Sequence, residues 1–209
     1  MERSLASLFV VFDVGGVLVP AEGAVAELAD ATGAPPAVLE EAYWASRDPY
    51  DAGGAKSQFW QEVAAAAEFQ CSDLLIDTLD RKDSDRWSRV SDGAQSLLVD
   101  VHACGTATAV LSNAPASLAA MVRQAEWSRR FSSLLFSSDV GCLKPSPNIY
   151  EIADRVFGTA QSTVLFFDDR AVNVAAGRRH GWDARLWTGL DDARGVLWDE
   201  YQIAGTGGK

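Results

Sequence analysis

Cysteine is scarce in this chain, and so is positive charge. The three cysteines, Cys71, Cys104 and Cys142, are odd in number and far apart. Such spacing builds neither a disulfide framework nor a zinc site. It fits a reducing cytoplasm with all three as small core residues. Only 18 basic residues face 29 acidic ones, a formal net charge of −11. A nucleic-acid binder presents a basic field, so this balance argues against that class. It leaves room for a small anionic ligand, because a metal ion and a few placed donors reverse the field locally. Long apolar runs are missing too. Leu5–Pro20, after Arg3, has the outline of a secretory leader, yet Asp13 sits inside it and Gly15-Gly16 follow. No other stretch reaches about 18 apolar residues. The expectation is a soluble, cytoplasmic protein without a membrane partner, opening on a buried strand.

What remains is globular material, 48% hydrophobic and 22% charged over 209 residues. That length fits one domain with a modest insertion and buries roughly 70% of the unfolded surface, so a core forms without staples. Five apolar runs, Leu8–Phe12, Thr106–Leu111, Leu134–Phe136, Thr163–Phe167 and Ala184–Trp187, read as strands. Runs apolar on both faces indicate parallel strands covered on both sides. Ala116–Gln124, Pro147–Val156 and Val172–His180 have helical length between them. This alternation predicts an α/β fold with a Rossmann-like parallel sheet.

Residues 21–89 break the alternation with helix signals only. Val25, Leu28 and Ala29 repeat at helical spacing, and Pro36 starts a helix with Leu39 and Tyr43 four apart. Ser57 is the expected cap of a third, bearing Phe59, Trp60, Val63 and Ala67; Ser72 caps a fourth, with Leu75, Ile76 and Leu79. Asp51–Gly54 reads as a loop. The expected division is a core of 1–20 and 90–204, an inserted helical subdomain of 21–89, and a Gly-rich tail, 205–209, that frays. No internal repeat is present.

Four of the five expected strands run into polar residues: Asp13, Ser112-Asn113, Asp139 and Asp168-Asp169. Ligands of open α/β sheets bind at the carboxyl ends of the strands. Carboxylates gathered there repel one another unless a cation intervenes. Mg²⁺ suits, since it takes one or two carboxylates, waters and phosphate oxygens. Lys144 closely follows the third strand end, placed to neutralise carboxylates or hold a phosphate. Asn173 either supports a ligand or faces solvent; Asp139 either orients Lys144 or caps a loop.

Four stretches, in this order, resemble the motifs of the haloacid dehalogenase superfamily of hydrolases, mostly phosphatases. They are Phe12–Leu18, Val110–Asn113, Ser138–Pro145 followed by Ile149-Tyr150, and Phe166–Asn173 followed by Gly177 and Gly181-Trp182. The likeness covers nearly the whole chain, and 21–89 resembles the family's type-1 helical cap over the active site. It implies Asp13 as nucleophile, attacking phosphorus to form an aspartyl-phosphate. It implies Mg²⁺ held by Asp13, the Gly15 carbonyl, Asp169 and, directly or through water, Asp168. Ser112 and the Asn113 backbone N–H would hold phosphate oxygens. Lys144 would neutralise the phosphoryl group in flight and restrain Asp13.

One position departs from that pattern. Most phosphatases of the family carry a second aspartate two residues after the nucleophile, which protonates the leaving oxygen and activates water. Here that residue is Gly15, and general acid–base catalysis is worth about 10²–10⁴-fold. Good leaving groups, such as anomeric or acyl phosphates, need it less. The Asp-x-Gly-Gly variant resembles a subgroup that includes sugar-1-phosphate phosphatases. Neither His102, in a helix, nor His180, at a helix C-terminus where a cation is favourable, reads as a substitute acid. Arg170, following the paired carboxylates, either reaches substrate or is a surface charge, the latter favoured. Trp87, Trp127, Trp182, Trp187 and Trp198 read as packing, while Tyr43, Trp44, Tyr50, Phe59 and Trp60 either line a substrate pocket or, as helical spacing favours for most, form the core of the helical insertion.

Three functions compete. The first is a Mg²⁺-dependent phosphatase of a small phosphorylated metabolite, sugar phosphates included, acting as monomer or homodimer. The second is a 2-haloacid dehalogenase, which also lacks the second aspartate but needs no metal, so the Asp168-Asp169 pair would be wasted. The third is a non-catalytic binding protein, which would not require the nucleophile, lysine and carboxylate pair together.

Overall fold

A computed structural model describes residues 7–160 and 162–203. The Gly-rich tail, 205–209, and the first residues of the leader-like stretch lie outside the described residues. Five strands, β1 (Ser7–Phe12), β2 (Ala107–Ser112), β3 (Ser133–Phe136), β4 (Ser162–Asp168) and β5 (Asp183–Leu186), form one parallel sheet in the order β3-β2-β1-β4-β5. All five expected strands are present, within about a residue of the expected bounds. β2 runs through Ser112 and β4 through Asp168, so these polar residues are the last of their strands rather than the first beyond them. Phe12 at the end of β1 lies between Val110 and Phe167. Strand order reverses about β1, which opens a crevice at the carboxyl ends.

Between β1 and β2 the chain forms α1 (Ala26–Thr32), α2 (Pro36–Ala45), α3 (Arg47–Asp51), α4 (Lys56–Ala66), α5 (Asp73–Trp87) and α6 (Asp92–Ala103). Then come α7 (Ala116–Gln124), the one-turn α8 (Ser137–Val140), α9 (Pro147–Phe157), α10 (Ala171–His180) and α11 (Leu190–Gly195). Val10 and Phe12 pack with Leu97 and Val101 of α6 and Leu118 and Val122 of α7. Phe9 and Val11 pack on the opposite face with Ile149 and Ala153 of α9 and Val174 of α10. Helices on both faces explain why β1 shows no polar alternation.

Helices α1, α2, α4 and α5 bury their own apolar cluster, which includes Leu28, Leu39, Tyr43, Phe59, Trp60 and Leu79. Ser72 caps α5 as expected, its side chain accepting from the Leu75 N–H at 3.3 Å. Ser57 does not cap α4. The Gly53-Gly54 turn folds back on α3, with the Gly54 N–H 2.9 Å from the Pro49 carbonyl, and the chain enters the helix at Lys56, with Ala55 at the N-cap. Asp51 ends α3 instead of opening a loop. This helical insertion touches the sheet layer through polar contacts: Ser137 Oγ donates to the Asp51 carbonyl at 2.6 Å, and the Tyr50 and Ser117 hydroxyls lie 2.8 Å apart. The three cysteines are half-buried rather than core residues, and none is in a disulfide. Among the described residues no helix is long and apolar enough to cross a membrane.

Candidate active site

Asp13 continues the sheet: its N–H bonds the Phe167 carbonyl at 3.0 Å, which fixes the side chain at the crevice. Its Oδ1 accepts from the Val14 N–H at 2.7 Å. The loop then turns sharply, with the Gly16 N–H 2.8 Å from the Val19 carbonyl. Gly16 has φ +74°, and a Cβ there would lie 2.1 Å from Asp169 Oδ2. Only glycine lets this loop and the Asp169 carboxylate share the space.

Lys144 is buried, and its three donors are all committed. Nζ lies 2.8 Å from Asp13 Oδ2, 2.6 Å from Asp168 Oδ2 and 2.8 Å from the Leu111 carbonyl. The Asn113 side chain holds the Lys144 backbone, donating to its carbonyl at 2.9 Å and accepting from its N–H at 2.8 Å. This clamp was not foreseen from sequence, where only the backbone of Asn113 had a role. Asp168 Oδ1 accepts from the Arg170 N–H at 2.8 Å and from Asn173 Nδ2 at 3.0 Å. Asn173 is therefore a buried support for Asp168, not a solvent-facing residue; Tyr150 in turn donates to its carbonyl at 2.9 Å.

Asp13, Asp168 and Asp169 each offer an oxygen within 4.8 Å of the others. Asp139 does not join them. The end of β3 runs into α8, where Asp139 accepts from the Phe136 N–H at 3.0 Å and pairs with Arg123 at 2.6 Å. The gathering of strand-end carboxylates thus holds for two strand ends, β1 and β4.

Three carboxylates face one ammonium. Burial pushes the Asp13 carboxyl up to about 7, against the attraction of Lys144 and a hydrogen bond from Ser112, and with the Asp168 charge adding to the rise. Burial and the Asp168 charge raise Asp169 as well. Asp168 itself is held low, because Lys144, the Arg170 N–H and Asn173 outweigh its burial. Burial works to lower Lys144, yet the two carboxylates win and raise it. Asp168 already accepts from Lys144, the Arg170 N–H and Asn173, which favours the water-mediated role for it and leaves Asp13, Asp169 and the Gly15 carbonyl, which receives none of the loop's backbone hydrogen bonds, to hold a cation directly. This all-oxygen set, short of positive charge, fits Mg²⁺.

These residues floor a cavity of about 480 Å³, together with Ser112, Asn113, Arg170 and Asn173. Its other wall comes from the helical insertion: Trp44, Arg47, Asp48, Asp51 and Trp87. Trp87, expected to serve packing, stands over the nucleophile loop, where a Cβ on Gly15 would meet its ring carbons at 3.1 and 3.4 Å. Arg170, read as a surface charge, is exposed and lines the cavity. Tyr43, Tyr50, Phe59 and Trp60 are core, as expected, whereas Trp44 is not.

Sequence reasoning missed Arg47, Asp48 and Asp51. Arg47 Nε bonds Asp51 at 2.7 Å and Nη1 bonds Asp83 at 2.9 Å, with the Tyr43 hydroxyl beside them. Burial pushes Asp51 up to about 6 despite Arg47. The available signal was the i,i+4 Arg47/Asp51 pair flanked by aromatic residues. His102 is exposed on α6; His180 pairs with Asp154 at 2.7 Å at the end of α10. Neither lines the cavity.

Fold and site together define a hydrolase built on a Rossmann-like parallel sheet, with its reacting groups at the strand ends. The chain belongs to the haloacid dehalogenase-like hydrolases, whose family model matches residues 9–181. An (S)-2-haloacid dehalogenase from Pseudomonas sp. (strain YL) is 29% identical over 130 residues, 59% of this chain and 56% of the relative. The chain thus spans little more than half the length of that curated relative. Among solved structures, a dehalogenase superposes with TM-score 0.68 at 21% identity, over 94% of this chain and 99% of that one. A family enzyme from Bacteroides thetaiotaomicron, in complex with magnesium and inorganic phosphate, gives 0.63 at 15% identity, over 86% and 93%. At these identities the structural likeness speaks to the fold.

Proposed function

We propose that this hydrolase is a Mg²⁺-dependent phosphatase of a small phosphorylated metabolite with a good leaving group. The observation that carries the reading is the charge balance around Asp13. Asp13, Asp168 and Asp169 converge while the buried ammonium of Lys144 is spent on Asp13 and Asp168. Asp169, exposed at the cavity, would add a repulsion beside the nucleophile in a metal-free reaction. Asp13, Asp169 and the Gly15 carbonyl would hold Mg²⁺, which when bound would supply positive charge for the phosphoryl oxygens and keep both carboxylates ionised.

Asp13 attacks phosphorus in line, and the leaving oxygen departs on the opposite side. The Ser112 hydroxyl and the Asn113 N–H hold two phosphoryl oxygens. Lys144 keeps Asp13 in place and adds charge to the site. Water then cleaves the aspartyl-phosphate, returning the Asp13 carboxylate and releasing inorganic phosphate. No carboxylate at position 15 protonates the leaving oxygen, so the reaction favours substrates that do not need it.

A second reading, 2-haloacid dehalogenase, is favoured by the curated relative's name and by the apolar wall of Trp44, Trp87 and Leu118. One panel separates the two: sugar-1-phosphates, sugar-6-phosphates, acyl and aryl phosphates, and 2-haloacids, each with Mg²⁺ and with EDTA. Phosphate release that EDTA abolishes supports the phosphatase. Halide release indifferent to EDTA, with no phosphate release, supports the dehalogenase.

A further inference from the structure

The wall of the cavity opposite Asp13 sets two indoles, Trp44 and Trp87, beside Arg47, Asp48 and Asp51. Trp87 is buried, its indole N–H donates to the Tyr43 hydroxyl at 3.0 Å, and its ring faces the Gly15 loop. Trp44 stands against it edge-on, ring centroids 6.0 Å apart at 74°, and against Tyr43 at 4.9 Å and 89°. Trp44 nonetheless stays 47% exposed while lining the cavity. Tyr43 is itself held by Asp83 at 2.6 Å and by Arg47. The result is an indole pair fixed from behind with one open face.

In-line transfer places the leaving group opposite the nucleophile, which here is toward the helical insertion. The charged groups on that wall are committed elsewhere or repel anions. Arg47 and Asp51 bind one another, and Asp48 and Asp51 disfavour a second negative charge on the leaving group. Position 15 itself, a glycine, supplies no acid to the leaving oxygen. Planarity and leaving-group acidity therefore coincide in one chemical class.

We propose that the substrate is a phosphate monoester of a planar, acidic hydroxyl, a phenol or an enol, whose ring or π-system lies on Trp44. The inference rests on the phosphatase reading and names its substrate class. Asp13 forms the O–P bond as the P–O bond to the ring breaks. The electron pair leaves on the phenoxide oxygen, which tolerates the charge and takes its proton from solvent. Water then hydrolyses the aspartyl-phosphate.

The test compares phenylphosphonate with cyclohexylphosphonate, equal in size and different in planarity. Calorimetric binding is measured with Mg²⁺ present, alongside phosphate release from the corresponding phenyl and cyclohexyl phosphates. An aromatic pair is worth roughly a three- to tenfold preference. The full chain is expected to bind the phenyl compound tighter by that factor. Trp44→Ala should bring the ratio near one, and Trp44→Phe should keep it. Equal binding of the two phosphonates, or a preference that survives Trp44→Ala, overturns the substrate class. Phosphate release without a phenyl preference overturns the substrate class alone. Selective phosphonate binding with no release from any ester overturns the phosphatase reading instead. Failure to bind either phosphonate overturns both.

Discussion

Lys144 is the residue on which the site's electrostatics turn. It is 2% exposed and bridges two carboxylates. Breaking a buried ion pair from one side leaves uncompensated charge, at a cost of about 3–5 kcal/mol. Lys144→Met, close in shape, is expected to lose roughly that much in chemical denaturation at neutral pH and to lose turnover. A near-silent effect on stability would show that Asp13 and Asp168 are compensated by other groups. Gly15 makes the opposite point. A residue able to act as general acid is chemically desirable there, yet Trp87 occupies the adjoining space. Gly15→Asp is expected to destabilise the fold by about 1–3 kcal/mol through overpacking and to bring no gain on alkyl phosphates. Gly15→Asp combined with Trp87→Leu should recover stability. A gain in kcat from the single substitution would show that the ring yields easily.

At the scale of elements, α9 and α10 are tied by a small polar knot away from the site. Asp154 accepts from Thr159 at 2.6 Å and Trp182 at 3.0 Å and pairs with His180 at 2.7 Å. Burial works to raise its carboxyl, but these hydrogen bonds prevail and hold it below the ordinary range. A depressed carboxylate contributes stability that is full above the unfolded value of about 3.9 and is lost as pH falls through the lower folded value. Asp154→Asn should therefore be less stable than the parent at pH 6, with the gap closing as acid protonates the parent. Denaturant midpoints measured from pH 6 to 3 check this; a gap that widens in acid contradicts it.

Elements were the most legible level of the sequence. α7 begins and ends where its Ala-, Leu- and Met-rich spacing puts it, and each apolar run became a strand. α3 was hidden because Arg47-Asp48-Pro49-Tyr50-Asp51 is a single turn with a proline and turn-forming residues. Of its two expected roles Asp139 has the cap, on the turn that follows β3, and the strand-end rule that grouped it with the other carboxylates cannot see that β3 enters another helical turn. Trp87 was hidden for a different reason: its periodicity is that of a packed helix, and its meeting with Gly15, far away in sequence, is made only by the docking of the helical insertion over the sheet. The floor of the site was legible because it comes from residues beside strand ends. The opposite wall was not, because it depends on how one layer sits on another.

For the whole molecule, the division of labour follows from this architecture. Strand ends and the loops beside them place Asp13, Ser112, Asn113, Lys144 and Asp169 on one side of the cavity, and the insertion supplies the other with Trp44, Trp87, Arg47, Asp48 and Asp51. On the proposed reading, chemistry belongs to the first layer and choice of substrate to the second. The central claim, that Asp13 takes a phosphoryl group with Mg²⁺ present, is tested most directly by trapping the covalent adduct. The protein is mixed with an aryl phosphate and Mg²⁺, quenched in acid within one turnover, and its Asp13 peptide weighed by mass spectrometry. The account predicts the added mass of one phosphoryl group, absent with EDTA and absent in Asp13→Asn. An unmodified peptide under rapid turnover, or an adduct formed only from a 2-haloacid and indifferent to EDTA, would contradict it.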